Sequence, residues 1–133
     1  MLKTALIALA VLAVSPAIAA QDPHRTETVR FAKGTSARTV TGAIRGDQDV
    51  SYVLDVRAGQ TIKVTMKTSN ASAYFNVVAP GVDDALFVGS ISGTTYVGKA
   101  AVSGPHKVIV YLMRNAARRN EAANYRLAFS VTG

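Results

Sequence analysis

Three arginines stand close together in "RNAARRNEAAN", residues 114–124: Arg114, Arg118 and Arg119. A guanidinium is a permanently charged planar fork of N–H donors, and it grips carboxylates and phosphates in pairs of parallel hydrogen bonds. The stretch lies between two apolar runs, "KVIVYLM" and "YRLAFSV", yet it has neither the glycine nor the proline that a tight turn would use. Its alanine, arginine and glutamate content favours a turn of helix. In a helix Arg114 and Arg118, four residues apart, share a side, and Arg119 points about 100° away from Arg118. Asn120 and Asn124 can satisfy backbone groups as the chain re-enters a strand. The same residues also suit a solvated basic loop in which Glu121 pairs with a neighbouring arginine.

The other reactive side chains are sparse. There is no cysteine, so thiol chemistry and thiolate-held metals are excluded. His24 and His106 have no serine–acid neighbours in sequence that would read as a triad. The acidic residues number eight. Asp47 with Asp49, or Asp83 with Asp84, could bind Ca²⁺ weakly, but that ion takes six to eight oxygens and neither pair sits in a recognisable loop. Turn-capping explains both pairs. No phosphate-binding glycine loop and no H-E-x-x-H is present. The expectation is a binding protein, not an enzyme, with no cofactor and no metal.

Strands must carry the arginine segment. "VSYVLDV" (50–56) alternates, with Val50, Tyr52, Leu54 and Val56 on one face, and "TIKVTMKT" (61–68) puts Ile62, Val64 and Met66 inward against Lys63, Thr65 and Lys67. "YRLAFSV" (125–131) alternates Tyr125, Leu127, Phe129 and Val131 with polar or small residues. These are period-2 patterns rich in β-branched and aromatic residues. "KVIVYLM" (107–113) is apolar on both faces and reads as a central strand. Weaker candidates are 27–31, 38–44, 73–78, 85–89 and 94–98. The punctuation "RAGQ", "TSNAS", "APGVDD" and "VSGPH" has turn chemistry. The pattern predicts an all-β fold: an antiparallel β-sandwich of about eight strands, with a short helical or irregular arginine-rich connection before the last one.

Composition bounds the setting. The 133 residues suffice for one domain. Residues 1–19 read as a secretory signal peptide: Lys3, an apolar run from Ala5 to Val14, and the small-residue pattern Ala17-Ile18-Ala19. Residues 20–26 read as a disordered leader and 27–133 as a single β-sandwich domain, exported to the periplasm. No other segment is apolar enough to cross a bilayer. Net charge is +7, and loss of Lys3 leaves +6. Such a balance suits either solubility among anionic polymers or faster encounter with an acidic partner.

The segment R-N-x-A-R-[KR]-N, followed by a tyrosine opening the last strand, resembles the bacterial proteinaceous inhibitors of goose-type lysozyme. "VRFAKGTSA" (29–37), "AIRGDQDVSYVLDVRAGQ" (43–60) and "PGVDD" (80–84) resemble that family's opening strand, its strand–turn–strand and a later turn, in the right order. The turns are common in exported β-sandwiches; the arginine segment in register with them is the more specific element. The resemblance implies a small periplasmic β-sandwich that blocks the active-site cleft of a muramidase, with Arg114 and Arg118 at the matching positions and Arg119 and Asn120 beside them. The implied partner is a lysozyme.

Two departures stand out. The turn before the Tyr52 strand is "GDQD", where relatives carry aromatic residues. An S-G-x-Y or S-G-x-x-Y signature of lysozyme inhibitors is met only by "SGTTY" (92–96), since "SGPH" (103–106) has histidine in place of tyrosine. In the functional version Ser92 and Tyr96 form a second contact loop; in the plainer one Ser-Gly simply makes a turn. A further alternative is a basic module for an anionic envelope polymer or nucleic acid, built on Lys63, Lys67, Arg30, Arg38, Arg45 and Arg57. Aromatic residues make up 7% and tryptophan is absent, so stacking platforms for bases or sugars are poorly supplied.

Overall fold

A computed structural model describes residues 22–133. The expected signal peptide, residues 1–19, lies outside them, as do residues 20 and 21 of the expected leader. Nine strands and two single helical turns follow one another: β1 His24–Thr28, β2 Ala37–Arg45, β3 Asp49–Val56, β4 Thr61–Thr68, β5 Ala73–Val78, β6 Ala85–Val88, α1 Gly89–Ser92, β7 Thr95–Lys99, β8 Gly104–Leu112, α2 Arg114–Arg118 and β9 Ala122–Thr132. They form two sheets, with strand orders β1-β3-β8-β5-β6 and β2-β9-β4-β7.

The inward residues are those the alternation picks out. Val50, Tyr52, Leu54 and Val56 of β3 face Ile62, Val64 and Met66 of β4 and Tyr125, Leu127 and Phe129 of β9, all buried. Each large apolar side chain so removed from water contributes about 1.5–3 kcal/mol relative to exposure. At the centre the Tyr52 ring packs on Phe129 at 5.7 Å and edge-on to Tyr125 at 6.3 Å. The two tyrosine hydroxyls satisfy each other at 2.6 Å. Burial pushes the Tyr125 hydroxyl well above its ordinary pKa, so the pair stays neutral. The run at 107–113 becomes β8, the middle strand of its sheet.

The structure corrects the expectation at the N-terminal edge. Residues 24–26, expected as leader, belong to β1, whose five residues are all exposed. Burial therefore leaves no period-2 trace there; the order comes from backbone pairing with the edge of β3. Asp49 N–H donates to the Pro23 carbonyl at 2.8 Å, and His24 Nδ1 meets Asp49 Oδ2 at 2.6 Å. The β1–β3 pair is parallel, unlike the other pairings of the sandwich. Parallel neighbours need a crossover, and here the chain makes it by running through β2 in the opposite sheet before returning.

Register places the loops at two ends. The β2–β3 turn, the β4–β5 turn, α1 and α2 gather at one end, because Arg45 pairs with Ala122, Ala73 with Leu112, and Thr95 with Thr65. The turns at 57–60, 79–84 and 100–103 gather at the other. No helix among the described residues is long and apolar enough to cross a membrane.

Candidate functional site

The arginine segment does form a helical turn. The Ala116 methyl is fully buried and Ala117 packs against the core, so the turn is nailed to the sandwich by its alanines. Arg114, Arg118 and Arg119 are left on the exposed side. The Ala117 N–H donates to the Met113 carbonyl at 2.9 Å, closing the turn. Asn120 then takes a left-handed conformation, φ 55°. Its N–H donates to the Ala117 carbonyl and that of Glu121 to the Ala116 carbonyl, at 3.0 and 3.1 Å. This is the paired-bond stop that satisfies a helix's last carbonyls, with asparagine in the place glycine usually holds.

Neighbouring turns staple α2 from both sides. On one flank, Arg45 Nη1 donates to the Asn120 carbonyl at 3.1 Å and the Gly46 N–H to the Glu121 carbonyl at 2.9 Å. On the other, the Met113 N–H donates to the Ser72 carbonyl at 2.9 Å, and Asn70 Nδ2 donates to Glu121 Oε1 at 3.0 Å. Arg119 Nε and Nη2 both reach Glu121 Oε2 at 2.6 Å. The hydrogen bond from Asn70, then that from Arg119, holds the Glu121 carboxyl below its ordinary pKa. Arg119 is thus tied into the support. Arg114 and Arg118 make no ion pair or side-chain hydrogen bond with any described residue.

No protein-family model matches the chain. Solved structures do. PliG of Aeromonas hydrophila, a periplasmic lysozyme inhibitor of g-type lysozyme, is 33% identical with a TM-score of 0.74, over 82% of this chain and 97% of that one. The chain belongs to the family of periplasmic inhibitors of g-type lysozyme. The Salmonella Typhimurium member is 28% identical, with a TM-score of 0.63 over 81% of this chain and 98% of its own. The inhibitor of g-type lysozyme of Escherichia coli K12 is 26% identical over 106 residues, 77% of this chain and 78% of its own. Members of this family inhibit an enzyme and are not themselves enzymes.

The remaining site residues divide. Ser92 ends α1, exposed, at the same end of the sandwich as α2. Tyr96 is half-buried, its ring lying over Gly98 and packed on Phe87 at 5.4 Å, where it closes the gap between edge strands β6 and β7. "SGPH" lies at the far end; His106 is fully buried, Nδ1 3.0 Å from the Gly104 carbonyl oxygen. Among the described residues no three His, Cys, Asp or Glu side chains gather as metal ligands. The supporting contacts of Arg45, Gly46, Asn70 and Ser72 escape sequence reasoning, since they lie 40 or more positions from the turn they hold and only strand register brings them to it.

Proposed function

We propose that this protein, a member of the periplasmic g-type lysozyme inhibitors, blocks a goose-type muramidase by inserting the α2 turn into its active-site cleft. The observation that carries this reading is the contrast among the arginines: Arg119 is spent on internal support, while Arg114 and Arg118 project from a stapled turn with no partner among the described residues. Glycosidases of this kind work with carboxylates flanking the scissile bond. A guanidinium from Arg114 or Arg118 can occupy such a carboxylate through charge-assisted, paired hydrogen bonds. A turn already held in place loses little conformational freedom on docking, so more of the contact energy appears as affinity.

Exposed apolar side chains accompany the arginines at this end: Ile91 of α1, 83% exposed, and Met113, 39% exposed. They supply a rim that excludes water around the ion pairs, the surroundings in which such pairs count most. Ser92, next to Ile91 in α1, belongs to the same contact in this reading, while Tyr96 packs on Phe87.

The test is lysis of peptidoglycan-exposed cells by goose-, chicken- and invertebrate-type lysozymes with the purified protein added. Inhibition of the goose-type enzyme at one-to-one stoichiometry, lost in the Arg114→Ala, Arg118→Ala double variant, is the expected result. Full inhibition by that variant would place the contact elsewhere.

A further inference from the structure

The outer face of the β2-β9-β4-β7 sheet carries charge of one sign. Its outward positions include Arg45, Lys63, Lys67, Lys99 and Arg126, and its four strands contain no aspartate or glutamate. Register sets these cations on a diagonal. Lys99 pairs with Thr61, which pairs with Thr132; Lys63 pairs with Ser130, Lys67 with Arg126, and Arg45 with Ala122. From the Thr132 row to the Ala122 row is roughly 33 Å along β9, at about 3.3 Å per residue. The track therefore crosses the sheet from its β7 corner to its β2 corner.

Lys67 and Arg126 are direct cross-strand partners, and like charges in that position destabilise a sheet. They flank an open groove of about 620 Å³ bordered by Thr41, Ser69 and Asn124, whose side chains offer hydroxyl and amide groups. No outward position of the sheet holds an aromatic ring. We propose that this face, which meets the support of α2 only at Arg45, is a second binding surface for a linear phosphate-bearing polymer lying along the diagonal. The length of the track fits an extended chain and exceeds a single anion. The missing rings argue against reading of nucleobases. A lipid surface would call for apolar anchors, and Val97 is the exposed large apolar side chain on this face.

The probe is end-labelled long-chain inorganic polyphosphate, titrated with the purified protein at several salt concentrations. Affinity should fall with salt at a log–log slope of about −0.7 for each charge neutralised, approaching −3.5 for five. Lys67→Gln with Arg126→Gln should weaken binding at least tenfold at low salt and flatten the slope by about 1.4. Lys107→Gln, which removes one charge from the outer face of the other sheet, should not. The double variant should inhibit lysozyme like the parent, which separates this surface from the inhibitory one. The proposal is overturned by absence of binding at the lowest salt, by equal loss in Lys107→Gln, by displacement with orthophosphate at matched phosphate concentration, or by tighter binding to oligothymidylate or anionic phospholipid vesicles. Loss of lysozyme inhibition in the double variant would overturn it as well, by making the face part of the inhibitory contact.

Discussion

Gly46 and Asn120 meet where two turns of the sandwich touch. Gly46 has φ 60°, and a Cβ added to it would stand 2.9 Å from Asn120 Oδ1. Asn120 is itself left-handed, at φ 55°. The β2–β3 turn and the end of α2 are therefore fitted to one another, and each depends on a backbone shape that few residues adopt. Gly46→Ala is expected to cost about 1–3 kcal/mol of stability and to weaken lysozyme inhibition by loosening α2. Thermal denaturation beside the lysis assay measures both; an unchanged midpoint would show that the turn accommodates a side chain.

Arg114→Ala and Arg118→Ala should leave stability within about 0.5 kcal/mol of the parent, because both side chains are exposed and pair with none of the described residues. Truncation of a buried interfacial ion pair costs about 2–5 kcal/mol, roughly 30- to several thousand-fold in affinity. Arg119→Ala should lower inhibition less than about tenfold, since its pair with Glu121 is exposed and screened by solvent. Inhibition constants for the three variants rank the roles directly.

Glu121 makes stability depend on pH. Its folded-state pKa lies below the ordinary 4.5, so the folded state binds a proton less readily than the unfolded chain. The contribution is fully present above about pH 5 and disappears as pH falls through the lowered pKa. Glu121→Gln should therefore melt below the parent at pH 7, and the two midpoints should converge once the pH has fallen below the lowered pKa. A gap that persists there would assign the effect to shape and not to charge.

Tyr96 and Ser92 should separate cleanly. Tyr96→Ala removes a ring packed between the sheet edges and should cost about 1–3 kcal/mol of stability, below the range for a fully buried aromatic residue. Ser92→Ala should leave the melting midpoint in place. If Ser92 belongs to the contact, its loss shows in the inhibition constant alone.

Gly42 lies beneath the Tyr125 ring of the neighbouring strand, where an added methyl would collide with the ring and its hydroxyl. Gly42→Ala should destabilise by about 1–3 kcal/mol through overpacking. Hydrogen exchange localised to β2 and β9 would report it.

Alternation in the sequence was enough to select the inward faces of β3, β4 and β9 and the central place of β8, because a side chain's burial in a strand follows a period of two. The alanine and arginine content of residues 114–119 favoured a helical turn but left an irregular basic loop open, and the structure forms the turn. The arginine motif together with the order of the surrounding segments pointed to the lysozyme inhibitors. Tertiary structure alone decided that the first strand takes in residues 24–26, since the exposed residues of β1 leave no burial pattern and its order comes from the β3 edge. It alone divided Arg119 from Arg114 and Arg118, because that division depends on Glu121 being fixed by Asn70 from a turn some 50 residues away in sequence. And it alone aligned five distant cations across one sheet, since register between strands, not spacing along the chain, sets which side chains become neighbours.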